Sequence, residues 1–525
     1  MIERSLNRVL RRVDWRFLLS TTQIEKSLCL SGAPQLQQSL AAVSKTCVDP
    51  KGPLTDDCEV VAAVQPGHAT LLAANKALGA NGMLYSEWVG WRAGGTGGIE
   101  SRLGRAGFKH SRAYWVYPNS TQPQFWVPVN SSRAPLRYIA QTLRPSRGRV
   151  LGLLRGAQVE LLAFLTRTGL VPHLGVISDR SALPHDDVFQ VIRAEYEKAH
   201  GQREARLSFL VTSGGGQVNS KIVVLVFDDR ASASPVWVVK IPRVPEDGAT
   251  LEVEKSILTE LRHLAGEAKP AFLVPSFLWS QTLHGVQLYV QTVLTGRPFA
   301  ETLAKVEFSE AAALLTEMQV SLAQQTASST HLRAAWETTD PFLSQWAKLA
   351  EGIVDAREIA QTQTILASLG VIPEVFAHND FTPWNIVETR EGLGIFDWSD
   401  ACQKGVPLLD LLYGLTTSAF LTKTGRGPLE PVGMQRAYQE LLDPETPLGR
   451  IFQASLDSYT RRVGLPPESI APLRLMTWIK HSLYELENHR VQTGRREKLV
   501  NSVCIPLWRM ELQIQSRPLE NAPER

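Results

Sequence analysis

The sequence predicts an α/β N-terminal part, then an α+β part in which a β-rich stretch gives way to a long helical one. Three observations carry this expectation. Short apolar runs alternate with helix-spaced segments between residues 27 and 87. Further β-rich runs crowd between residues 205 and 298. Beyond Phe299 the apolar residues recur mainly at helical spacing.

The N-terminal elements follow in order. Residues 27–32 read as a strand, Pro34–Val43 as a helix, Cys58–Val64 as a second strand and residues 68–78 as a second helix. Residues 79–87 add a turn and a further strand. Gly94, Gly95, Gly97 and Gly98 suggest a mobile surface loop. At the start of the chain Arg4, Arg8, Arg11, Arg12 and Arg16 outnumber Glu3 and Asp14. Ile2, Leu6, Val9, Leu10 and Val13 share a helical spacing there, which predicts a helix with a solvated basic face. Residues 151–202 read as a helical connector.

The β-rich stretch begins with strands over residues 205–211 and 221–228, joined by a turn that holds Gly214, Gly215 and Gly216. Without side chains, those glycines let backbone amides approach a phosphate closely. Residues 236–242 form a third strand with Lys240 alone among apolar neighbours. Such an ammonium must snorkel to solvent or meet an anion. A helix follows over residues 251–265, and Glu254 shares its apolar face with Ile257, Leu258, Leu261 and Leu264. A charge on a buried face needs a partner.

Further on, His378, Asp380, Pro383 and Asn385 lie in a tight polar loop after one short strand, and Asp397 ends a second. Phosphoryl transfer from ATP needs a carboxylate beside the acceptor hydroxyl, plus an amide and a second carboxylate to hold Mg²⁺ on the phosphates. Asp380, Asn385 and Asp397 are those groups in that order. A strand–turn–strand with Asp and Asn merely capping turns explains neither the spacing nor the upstream half.

These residues resemble the catalytic segment of the aminoglycoside phosphotransferase and choline kinase-like family, small-molecule relatives of the protein kinases. Gly405, Pro407 and Asp410 also fall into that family's pattern, while Asn379 stands where the family usually has Gly. Asn is the next most tolerant residue of left-handed backbone. The resemblance implies an α+β, protein-kinase-like two-lobed domain, with a small lobe over residues 203–296 and a helical large lobe over 297–525. It implies ATP and Mg²⁺ as cofactors. In that pattern Asp380 accepts the acceptor's proton, His378 braces the loop, and Asn385 and Asp397 hold the metal. Lys240 contacts the phosphates and pairs with Glu254, the Gly214, Gly215 and Gly216 turn covers them, and backbone groups from Gln291 to Val293 bind adenine. Trp478, Tyr484, Glu485 and Glu487 lie in the region that lines the acceptor pocket. Residues 1–150 are similar to a class I methyltransferase domain, Rossmann-like, through the turn at 78–82 and Ala106-Gly107-Phe108. Only Gly32 follows the first strand, where that family has Gly-x-Gly, so a degenerate domain is expected.

Composition bounds the rest. A chain of 525 residues, 44% hydrophobic and 20% charged, is globular with several domains. The net charge is +3, and the first sixteen residues account for all of it. The remaining balance argues against a nucleic-acid surface. No apolar run is long enough for a transmembrane helix. The 5 cysteines form no Cys-x-x-Cys pair, which suits a reduced cytoplasmic protein without structural zinc or disulfides. The expected function is ATP- and Mg²⁺-dependent phosphorylation of a hydroxyl on a sugar, amino alcohol or related metabolite. The alternative is a nucleotide-binding scaffold that no longer catalyses.

Overall fold

The computed structural model describes residues 9–520 apart from 20–22, 31–32, 50–55, 144–159, 182–186, 202, 214–220, 231–233, 268–270, 284, 304, 328–331, 425–428 and 494–501. The chain forms two compact units, residues 3–249 with 278–293, and residues 250–277 with 294–525.

The first unit is built on β1 (Ile24–Cys29), β2 (Ser44–Val48), β3 (Cys58–Val64), β4 (Leu78–Trp88), β5 (His110–Tyr117), β6 (Phe125–Pro128), β7 (Leu174–Asp179), β8 (Leu207–Ser213), β9 (Ile222–Asp228), β10 (Trp237–Ile241), β11 (Phe277–Leu283) and β12 (Val286–Thr292). They form a single 12-stranded sheet in the order β11-β12-β10-β9-β8-β6-β5-β7-β4-β3-β1-β2. The β2-β1-β3-β4 portion is parallel, with the helices Pro34–Val43 and His68–Ala77 as crossovers. This is the α/β pattern that the alternation predicts. From β4 onward every pairing with a described register is antiparallel.

The β-rich stretch after residue 205 is not a separate sheet. Phe125 and Trp126 of β6 pair with Thr212 and Val211 of β8, so the N-terminal strands run directly into it. The sequence stretch read as a helical connector supplies β7, inserted between β4 and β5. All of β7 is buried, and a run of apolar residues buried on both faces carries no period-2 signal.

Strand alternation sorts the sheet's side chains into two cores. Tyr114, Val116, Phe209, Val211, Val224 and Val226 pack in one, with Val239 and Leu288. Trp115, Val127, Leu210, Leu225 and Phe227 pack in the other. Successive residues on one strand point to opposite faces, and that period assigns them.

The first core is completed by residues 13–19, which corrects the expectation of a solvated basic face at Arg12 and Arg16, while Ile2, Arg4, Leu6 and Arg8 lie outside the described residues. Asp14–Leu19 is a 3₁₀ turn with every residue buried, and Trp15 stacks on Tyr85 with ring centroids 4.0 Å apart. Trp15, Phe17, Leu18 and Leu19 enter the core and drag their charged neighbours with them. Buried charges must then pair. Arg12 donates to Glu87 Oε2 at 2.7 Å, and Arg243 donates through Nε and Nη2 to the Asp14 carboxylate at 3.2 and 3.1 Å. Ser213 Oγ donates to Asp14 as well, at 2.5 Å. Burial, with Arg243 adding to it, brings the Arg16 guanidinium down to about 10.

The glycine run at 94–98 is likewise not a surface loop. Gly94 takes left-handed backbone and Gly95–Arg105 is a helix. A Cβ on Gly95 would lie 2.3 Å from the Thr168 carbonyl oxygen, and one on Gly98 2.0 Å from that of Ala93. Here glycine permits close packing of backbone on backbone.

The second unit is mainly helical around one core. Leu409–Thr424, buried along nearly its whole length, packs against Phe308–Thr326, Pro431–Leu442 and Ile470–Thr493. A helix apolar all round belongs at the centre of such an assembly. Short strands Ile386–Glu388 and Leu393–Ile395 pair antiparallel, as do Val375–Ala377 and Cys402–Gly405. Between them lies the polar loop singled out by the sequence.

Candidate active site

The loop is fixed from below by one carboxylate at the start of the central helix. Asp410 accepts the backbone N–H of His378 at 2.6 Å and that of Asn379 at 2.9 Å. Asn379 takes left-handed backbone, φ 65°, the conformation its residue type suggests. His378 is fully buried, edge-on to Trp398 at 4.7 Å. Its Nε2 lies 3.0 Å from the Phe396 carbonyl oxygen, and its Nδ1 accepts the backbone N–H of Asp380 at 3.3 Å. Both ring nitrogens are thus occupied in holding the loop.

Asp380 and Asn385 are brought together. The Asn385 amide donates to Asp380 Oδ2 at 2.7 Å and to the Asp380 carbonyl oxygen at 2.9 Å. Burial raises the Asp380 carboxyl to about 6, against the lowering effect of His378 and Asn385 and with added repulsion from Asp400 and Asp397. Asp397 also has left-handed backbone, φ 63°, and accepts Ser399 Oγ at 3.3 Å. A non-glycine residue held this way stores strain of about 1–2 kcal/mol, typical of functional loops. The Phe396 N–H donates to the Asn385 carbonyl oxygen at 3.0 Å, which ties the Asp397 turn to the loop.

The donor set suits a hard cation. With its nitrogen committed to Asp380, Asn385 keeps its side-chain oxygen, and Asp397 contributes a carboxylate. Among the described residues no group of three or more His, Cys, Asp and Glu forms a metal cage. Two protein oxygens match Mg²⁺ chemistry, where one or two side chains are completed by phosphate and water.

The other sequence candidates lie on other elements of the chain. Lys240 is buried on β10, opposite Val223 and Tyr289, in the first unit. Glu254 is buried on the helix Gly248–Glu267 and belongs to the second unit. Gln291 is buried on β12, and Val293 lies just after that strand. Gly214, Gly215 and Gly216, like Gly32, lie outside the described residues.

Of the residues placed at the acceptor pocket, Trp478 is fully buried and Tyr484 is exposed. Glu485 is occupied by Ser502 Oγ at 2.6 Å and the Val503 N–H at 3.0 Å, and the side chain of Glu487 lies outside the described residues. Sequence reasoning missed Lys480, whose ammonium donates to the side-chain oxygen of Asn379. The available signal was a lysine set in the apolar run of Trp478 and Ile479.

Residues 215–449 match the model of the phosphotransferase enzyme family. No curated protein matches the chain. Among solved structures, ADP-bound aminoglycoside phosphotransferase APH(2'')-Ib is 14% identical, with 61% of this chain and 96% of that one covered at a TM-score of 0.33. APH(3'')-Id from Streptomyces rimosus ATCC10970 is 15% identical over 57% and 98%, at 0.31. APH(4)-Ia is 13% identical over 61% and 99%, at 0.35. The segment that matches this family's model, residues 215–449, holds the whole loop from His378 to Asp410.

Proposed function

We propose that the protein is a small-molecule kinase that moves the γ-phosphoryl group of ATP to an alcohol. The observation that carries this reading is the contact of the Asn385 amide with the Asp380 carboxylate at 2.7 Å, beside the strained turn of Asp397. Asp380 orients the acceptor hydroxyl and takes its proton. The hydroxyl oxygen forms a bond to the γ-phosphorus as the bond to the β,γ-bridging oxygen breaks, and ADP leaves with that electron pair. Asn385 fixes the carboxylate that receives the proton, and His378 and Asp410 hold the backbone around it. The Asn385 oxygen and Asp397 would hold Mg²⁺, which when bound neutralises phosphate charge.

Support also comes from economy. A scaffold that only bound nucleotide would have no chemical use for a carboxylate held against the amide of a metal-binding asparagine. The test is a phosphotransfer screen of hydroxylated metabolites with labelled ATP, run on wild type and on Asp380→Asn. Label transfer by wild type and its loss in Asp380→Asn are expected. Equal transfer by both proteins would remove Asp380 from its role.

A further inference from the structure

We infer that Lys480 determines acceptor specificity, favouring alcohols that carry an anionic group over polycationic amines. The inference rests on the phosphotransferase reading above. Lys480 is half-buried on the helix Ile470–Thr493. Its ammonium donates to Asn379 Oδ1 and lies 5.2 Å from the centre of the Phe342 ring. Asn379 immediately precedes Asp380, and its amide nitrogen is anchored on the Asp400 carbonyl oxygen at 2.6 Å. That anchor turns the amide oxygen toward Lys480, so the positive charge is tethered one residue from the proposed base.

Among the described residues Lys480 makes no ion pair, and its hydrogen bond goes to the neutral Asn379 side chain. Two acids of this region accept hydrogen bonds from other groups. Asp410 holds the loop backbone, and Glu485 accepts from Ser502, Val503 and Cys504. Asp400 is exposed, where water and salt screen it. Next along the helix, His481 stacks on Tyr413 at 3.5 Å, and burial together with the Lys480 charge keeps its ring neutral, down at about 3. An ammonium has three donors, and Asn379 occupies one. A carboxylate or phosphate on the acceptor meets the others in a charge-assisted bond, whereas a polyamine meets repulsion. The usual glycine at position 379 offers no side-chain oxygen, so Asn379 and Lys480 act as a pair.

The experiment uses the full chain with Mg²⁺-ATP and measures KM and kcat for D-gluconate, glucose 6-phosphate, glucose and kanamycin. Gluconate and glucose 6-phosphate separate a carboxylate from a phosphate as the anionic group. The expected result is a lower KM for at least one of the two anions than for glucose or kanamycin. Lys480→Ala then raises that KM about 10–100-fold with a smaller change in kcat, and Lys480→Arg restores it. Lys480→Glu shifts preference toward kanamycin. A thermal shift with Mg²⁺-ATP, run on every variant, reports folding and nucleotide binding apart from the acceptor. If nucleotide binds but kanamycin is preferred, if no anion is phosphorylated, or if Lys480→Ala leaves the anion KM unchanged, the inference is overturned and the kinase reading stands. Absence of nucleotide binding in folded wild type overturns both.

Discussion

Two carboxylates in the loop are expected to fail differently when neutralised. Asp380→Asn keeps the side chain's size but removes the proposed proton acceptor, so turnover should fall about 10²–10⁴-fold with nucleotide affinity nearly kept. Asp397→Asn removes the proposed anionic ligand of a hard metal, so Mg²⁺-ATP affinity should fall along with turnover. Kinetics at varied ATP and Mg²⁺ distinguish the two, and normal Mg²⁺-ATP binding by Asp397→Asn would shift the metal role to another acid. His481 makes a separate prediction about stability. In the unfolded chain it binds a proton near 6.5, but in the folded protein only near 3. Between those values the unfolded state holds more protons, so stability falls as pH drops from 6.5 toward 3. The slope from this group is at most about 1.4 kcal/mol per pH unit. His481→Phe keeps a ring against Tyr413 and should flatten the acid limb of a melting-temperature profile. A limb of unchanged steepness would assign the acid loss to other groups.

At the scale of the element, glycines in one helix give a matched pair. Gly95 has φ +68° and no room for a Cβ, whereas a Cβ on Gly97 meets nothing within 4 Å. Gly95→Ala should cost about 1–3 kcal/mol. Gly97→Ala should stabilise by about 0.4–1 kcal/mol. Thermal melting of both variants checks this, and equal shifts would show that the backbone approach at Thr168 is unimportant. The sequence announced the polar loop because its chemistry needs particular residue types at fixed spacing in a short segment. Pro34–Val43 and Cys58–Val64 were also legible, for their periodicity is local. Strand β7 was not, since both of its faces are buried. Nor was the packing role of Gly95 and Gly98, because their partners are Thr168, a distant residue, and Ala93, across a turn. Lys480 escaped for a similar reason, as it meets Asn379 across 101 residues.

For the molecule as a whole, the continuous sheet sets what can be removed. A fragment of residues 204–525 keeps the matched family segment but loses the β6 edge that pairs with β8. It also uncovers Phe209, Val211 and Val224, which pack in a core shared with Trp126 and Phe189. An exposed apolar strand edge is an aggregation template. The fragment should therefore elute as aggregate or lack cooperative melting, while the full chain is folded and cooperative. A monomeric, cooperatively melting fragment would show that the N-terminal strands are dispensable to the fold. Composition gave no hint of this union, since strand pairing between β6 and β8 depends on register, not residue type.

The bond between Asp14 and Arg243 spans 229 residues. On a ribosome that adds about 5–20 residues each second, the aspartate emerges on the order of 10–50 s before its arginine exists. Throughout that interval Trp15, Phe17, Leu18 and Leu19 have only part of the core they will finally enter. This apolar segment is thus not fully covered until most of the first unit is made. The final packing of residues 15–19 in the first unit is therefore set by the order of translation.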